Sequence, residues 1–191
     1  MHVYLDHAAA TPVRPAVLEA MLPYFTERFG NPSAVYDLGS RIKDLMEEQR
    51  EKVARLINAR RDEIVFTSSG AEANNLALKG AALAQRKKGK HVIVSAIEHH
   101  SVLNTARFLE RFLDFEVTFL PVDHFGLVDP ERLVRTLTGQ TVLVSIMHGN
   151  NEIGTVQDLA PLAAILLCVL ALTTLSEGLE AVLEPPLQEA T

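Results

Sequence analysis

Three short, unbroken runs of apolar and β-branched residues dominate the pattern: 63–67 (EIVFT), 91–95 (HVIVS) and 141–147 (TVLVSIM). Each leads directly into a cluster of small and polar residues. Runs of this length without alternation suit strands buried on both faces, as in parallel sheets covered by helices on either side. The sequence between them supplies those helices, predicted at 71–88, from about 101 to 113, and at 131–137, where Asp129-Pro130 reads as an N-cap followed by proline. A fourth strand is predicted over 116–122. The fold class is therefore α/β, with a mostly parallel sheet and helices on both faces. Ligands in such sheets bind beyond the carboxyl ends of the strands, so the three polar clusters are expected to converge there.

The first sixty residues read differently. After an extended start at 3–5, Pro15 opens a helix whose apolar stripe is Val17, Leu18, Met21, Leu22 and Phe25. Gly30-Asn31-Pro32-Ser33 breaks the chain, and a second amphipathic helix carries Leu38, Ile42, Leu45, Met46, Val53, Leu56 and Ile57. With 191 residues the chain suits one sizeable domain. Its single cysteine, Cys168, excludes an internal disulfide, and a net charge of −6 gives no attraction to nucleic acid. All 18 Lys and Arg lie at or before Arg135, so the last 56 residues hold only acidic charge, a break in character near the C-terminus. The longest apolar run, 14 positions over 162–175, is shorter than the roughly 20 residues a bilayer needs. No secretory signal is visible, and a soluble, cytoplasmic setting with no membrane partner is expected.

Each polar cluster admits a chemical and a plain structural reading. Ser68-Ser69-Gly70-Ala71-Glu72-Ala73-Asn74-Asn75 stands at a strand-to-helix turn, where free backbone amides and the helix dipole can hold a phosphate; a serine-capped helix start has the same spelling. It matches neither GxGxxG nor GxxxxGK[ST], so neither a dinucleotide nor a P-loop nucleotide is indicated. In Glu98-His99-His100-Ser101, His99 is placed to stack on a flat ligand or exchange protons, or simply to cap a helix. Adjacent histidines at a helix start diverge, and no second cluster has ligand spacing, so no metal is expected. In His148-Gly149-Asn150-Asn151, Asn150 can bond a ligand oxygen through its amide or close a tight turn.

Together the strings YLDHAAATP (4–12), FGNPS (29–33), EIVFTSSGAEANNLALKG (63–80), EHHSVL (98–103) and VSIMHGNNEIGTVQD (144–158) resemble those of cysteine desulfurases, in the same order and spacing. These are class V aminotransferase-like enzymes of pyridoxal-phosphate fold type I. The resemblance covers residues 1–165, with an N-terminal arm at 1–15, and implies an incomplete aminotransferase-like large domain. It also implies pyridoxal 5′-phosphate as cofactor, with Gly70 and Ala71 at its phosphate, His99 stacked on its ring and assisting proton transfer, and Asn150 at its ring oxygen. The implied reaction takes sulfur from L-cysteine, leaving L-alanine and a persulfide for a sulfur-acceptor protein serving iron–sulfur clusters or tRNA thiolation. The implied assembly is a homodimer.

Two departures qualify what the resemblance implies. The family usually has threonine where Ala71 stands, so one hydroxyl to the phosphate is missing. The family's covalent-attachment lysine, its pyridine-nitrogen aspartate and its sulfur-accepting cysteine all follow the Asn150 motif, whereas the last lysine here is Lys90. After Ile165 no family motif occurs, and 166–191 is an unmatched apolar and acidic tail. The expectation is a truncated product, from a frameshift near Ile165, that is inactive alone. A non-catalytic relic of the same fold, a selenocysteine lyase or another class V aminotransferase are the alternatives.

Overall fold

The computed structural model describes residues 2–167; beyond position 167 the expected tail, Cys168 included, lies outside the described residues. The chain forms two compact units that divide after Ser68.

The first unit holds α1 (Pro15–Met21), α2 (Pro23–Thr26) and α3 (Asp37–Leu56). The single helix expected over Val17 to Phe25 is in fact two. Leu22 closes α1 by donating to the Leu18 carbonyl, and Pro23, with no N–H to continue the ladder, restarts the chain as α2. Ion pairs Arg41–Asp37, Lys52–Glu48 and Arg55–Glu51 run along α3 at i,i+4 spacing, each contributing a few tenths of a kcal/mol at about this exposure. The run 63–67 does not form the expected strand. A 3₁₀ turn occupies Arg61–Glu63, and the residues after it are extended but join no ladder. Here Arg50 of α3 donates to the Ile64 carbonyl and lays its guanidinium over the Phe66 ring at 4.8 Å, and Val65 stays 64% exposed. β-branched composition favours a strand only where a partner supplies the ladder.

The second unit alternates as α4 (Gly70–Ala84), β1 (His91–Ser95), α5 (His100–Leu113), β2 (Glu116–Leu120), α6 (Pro130–Thr136), β3 (Thr141–Ser145) and α7, helical over 159–167. The sheet order is β2-β1-β3, and both pairings are parallel. All five residues of β1 are buried. Val92 and Val94 point into a core with Leu78 and Ala82 of α4 and Val102, Ala106 and Leu109 of α5. On the opposite face Ile93 meets Leu120, Val128, Leu133 of α6 and Leu162 of α7. The two-residue period of the strand thus builds one core on each side. The expected helices on both faces are present, and the segment 63–67 contributes no strand to the sheet.

At the end of the sheet where the strands begin, the buried His91 ring lies 2.8 Å from Thr141 Oγ1 and 2.9 Å from Thr118 Oγ1, touching both neighbouring strands. Beside it Gly89 passes close to β3's entry: a Cβ there would sit 2.3 Å from the Gln140 carbonyl oxygen. At the same end Lys90 pairs with Asp114, which ends α5 in the left-handed conformation with φ 58°. The Lys90 hydrogen bond and charge, with a smaller contribution from Arg86, hold the Asp114 carboxyl below its usual range. No helix among the described residues is long and apolar enough to cross a membrane.

Candidate functional site

The opposite end, where β1 and β3 finish, gathers the three polar clusters. Parallel pairing brings the two strand exits side by side, and specific hydrogen bonds then tie the loops together. Glu98, 6% exposed, accepts through one oxygen, Oε1, from the Ser95 hydroxyl at 2.8 Å and from the Met147 amide, so it clamps the end of β1 to the end of β3. Asn150 Nδ2 donates to the Ile97 carbonyl at 2.9 Å, a second tie between the same loops. Asn74 of α4 donates through Nδ2 to Ser101 Oγ of α5 at 2.8 Å, which joins the first cluster to the second.

The first cluster is a helix start. Ser69 caps α4 by accepting from the Glu72 amide at 3.2 Å, as a capping serine should. Gly70 and Ala71 follow as the first two residues of this fifteen-residue helix, and their amides have no acceptor within it. Gly70 and Ala71 are both exposed, and a Cβ at Gly70 would meet nothing within 4 Å, at the positive end of the helix dipole. Ala71 offers no hydroxyl there.

His99 is the N-cap of α5. Its Nδ1 accepts from the Ser101 amide at 3.1 Å and lies 2.8 Å from Ser101 Oγ. The ring is exposed, so the capping and ligand-facing readings are compatible: one nitrogen serves the helix and the other faces outward. His99 and His100 have ring centroids 6.3 Å apart at 59°, and no group of three or more potential metal ligands occurs among the described residues.

Asn150 sits in a loop closed by its own backbone, with its amide donating to the Thr155 carbonyl at 2.8 Å and its carbonyl accepting from Gly154 at 3.0 Å. Its side-chain oxygen accepts from the Glu152 and Ile153 amides at 2.8 and 3.1 Å. Nδ2 serves the Ile97 carbonyl and, at 3.3 Å, the Met147 thioether. Asn150 is thus the fastener of its own turn, and only the contact to sulfur, a weak acceptor, is readily exchanged for a ligand oxygen. Asn151 is exposed and bonds Glu152.

Neither Lys79 nor Lys90 lies among these strand tips. Lys79 sits with its ammonium 4.3 Å above the Phe108 ring between α4 and α5, and Lys90 precedes β1 at the far end of the sheet. The sequence places Gly70, Ala71, His99 and Asn150 at this end of the sheet, with Asn74, Ser101 and Glu98 in the same clusters, but does not reveal the links that Asn74, Ser101 and Glu98 make between them. Asn74 is one helical turn into α4 and reads as an ordinary polar surface residue, and its link to Ser101 spans 27 positions. For Glu98 a signal existed: a carboxylate immediately after a buried strand must find donors.

The class V aminotransferase family model matches residues 3–174. Cysteine desulfurase IscS of Dictyoglomus turgidum is 53% identical over 163 residues, which cover 85% of this chain and 41% of that protein. Among solved structures, a NifS-like protein superposes with a TM-score of 0.81 at 39% identity, over 86% of this chain and 45% of that one. A structure described as SspA in complex with cysteine gives 0.77 at 40% identity, over 85% and 46%. The chain therefore spans about 40% of the length of the curated relatives it matches.

Proposed function

The chain belongs to the class V aminotransferase family, and from that premise we propose that its second unit binds pyridoxal 5′-phosphate at the sheet tip as part of a cysteine desulfurase site. The observation that carries this reading is the joining of three polar loops at one end of a parallel sheet, through Asn74–Ser101, Asn150–Ile97 and Glu98–Met147. The relatives are named cysteine desulfurases, and the reaction this reading implies is removal of sulfur from L-cysteine to give L-alanine and a persulfide. A sulfur-acceptor protein and a second copy of the full-length enzyme are the partners this reading implies.

The residues fit the coenzyme in its non-covalent parts. The free amides of Gly70 and Ala71 would hold the phosphate, with the dipole of α4 behind them. The exposed His99 ring would face the pyridine ring, and Asn150 would give its sulfur-bound N–H to the ring oxygen. When bound, pyridoxal phosphate supplies the electron sink for breaking bonds at an amino acid's carbons, while the protein's share is binding, orientation and proton placement. Covalent attachment does not fit. The last lysine of the sequence is Lys90, at the far end of the sheet, away from the loops that would hold the coenzyme. In this reading the 191 residues bind the coenzyme reversibly and do not turn cysteine over by themselves.

Titration of the purified chain with pyridoxal phosphate tests this. The expected result is saturable binding that inorganic phosphate competes away, no borohydride-stable label at a single lysine, and no alanine released from cysteine. Failure to saturate removes the binding reading. A uniquely labelled lysine, or alanine production by the pure chain, removes the non-covalent one.

A further inference from the structure

We propose that Asn74 and Ser101 are positioning residues that fix the tautomer of His99, so that its ring presents an N–H rather than a bare nitrogen at the sheet tip. The proposal rests on the reading of His99 as the ring that faces the ligand, but its chemistry follows from the hydrogen bonds alone. His99 Nδ1 lies 3.1 Å from the Ser101 amide nitrogen. A backbone amide can only donate, so Nδ1 is an acceptor and the single proton of the neutral ring resides on Nε2.

The Ser101 hydroxyl strengthens this choice and gives it a direction. Its oxygen lies 2.8 Å from Asn74 Nδ2 and 2.8 Å from His99 Nδ1. The asparagine NH₂ only donates, so it occupies a lone pair of the hydroxyl, and the one hydroxyl proton is left to point at Nδ1. The relay runs from Asn74 to Ser101 to His99. Asn74 and Ser101 are both half-buried, which limits the water able to replace either link. The Ser101 carbonyl is itself held by the Thr105 hydroxyl at 2.8 Å, so the first turn of α5 that carries the relay is fastened from behind.

Two donors into Nδ1 leave Nε2–H as the group offered outward. A ring in this state gives one hydrogen bond to an oxygen facing it and accepts nothing at Nε2 while that proton remains. The polarity originates in α4, the helix whose first amides form the candidate phosphate site, so the two helix starts are coupled through one serine hydroxyl.

The relay can be reversed without changing its shape. In Asn74→Asp the amide donor becomes a carboxylate acceptor, the Ser101 hydroxyl turns toward position 74, and its lone pair then faces Nδ1. Long-range proton–nitrogen NMR correlation on the intact chain reads the His99 ring nitrogens directly, in alkaline buffer where imidazole is ordinarily neutral. The wild-type chain is expected to show an unprotonated Nδ1 and a protonated Nε2. Asn74→Asp is expected to raise the Nδ1-protonated population about tenfold, the equivalent of one hydrogen bond. The effect of Asn74→Asp is expected to disappear in a Ser101→Ala background and to persist with Ser101→Thr, which keeps the hydroxyl. An Nδ1 signal unmoved by Asn74→Asp, or moved equally with and without the hydroxyl, overturns the proposal. Because the readout needs no coenzyme, failure of pyridoxal phosphate to bind would refute the functional reading and leave the relay to be judged on the NMR result.

Discussion

Replacing Glu98 by alanine should loosen the junction of β1 and β3 far more than replacing it by glutamine. Glu98 Oε1 accepts two hydrogen bonds, from the Ser95 hydroxyl and the Met147 amide. Ser95 is fully buried, so its hydroxyl finds no water when the acceptor is removed, at a cost of about 1–3 kcal/mol. The Met147 amide is half-buried and recovers part of its loss, leaving about 1 kcal/mol. Glu98→Ala should therefore cost about 3 kcal/mol, which is about 6–12 °C in Tm for a chain of this size. Glu98→Gln keeps an oxygen in the same place, and because a neutral acceptor is about half as strong as a charged one it should cost about 1 kcal/mol. Urea unfolding followed by far-UV circular dichroism gives both values, and hydrogen exchange at the Met147 amide locates the damage. If glutamine proves as harmful as alanine, charge rather than acceptor geometry holds the clamp, and the reasoning is wrong. It is equally wrong if alanine is within about 0.5 kcal/mol of wild type, the range of an unremarkable surface change.

Ala71→Thr places a hydroxyl beside the first amides of α4 and is expected to tighten inorganic phosphate or pyridoxal phosphate binding about tenfold, measured by calorimetry. Gly89→Ala forces a methyl group against the Gln140 backbone, which cannot rotate away, and is expected to lower stability by about 1–3 kcal/mol in urea. For Asp114 the depressed carboxyl means its contribution to stability is complete above the ordinary aspartate range and is lost as pH falls through the lowered folded-state value. Asp114→Asn, which keeps a side chain tolerant of positive φ, should therefore unfold at lower urea than wild type near neutrality, with the gap closing in acid.

The second unit was largely legible in the sequence because its strands are short, continuous and bounded by turn residues, and because parallel pairing dictates where their polar followers meet. Asp129-Pro130 gave the start of α6 correctly: Asp129 caps it from the expected position. The strand over 63–67 was misread for a physical reason. Composition reports that a segment suits a sheet, but the ladder depends on a partner strand, and the described residues pair none with this segment. The stripe through Phe25 misled similarly, since periodicity alone ran across Pro23. At the site, residues adjacent to strand ends were found by position, whereas Asn74, Ser101 and the Glu98 clamp act across gaps of 27 and 49 positions that no local pattern encodes.

The imidazole of His91 has a consequence for how the sheet finds its alignment. The centre of β1 is apolar on both faces, Val92 and Val94 on one and Ile93 on the other, so sliding it by one position would exchange them with little change in hydrophobicity. Grease cannot tell the two alignments apart. The directional bonds from His91 to Thr118 and Thr141 can, because either slip would withdraw the ring from its threonine partners. One aromatic nitrogen pair thus works as an indexing pin for three strands, at the rim farthest from the loops whose meeting depends on that alignment.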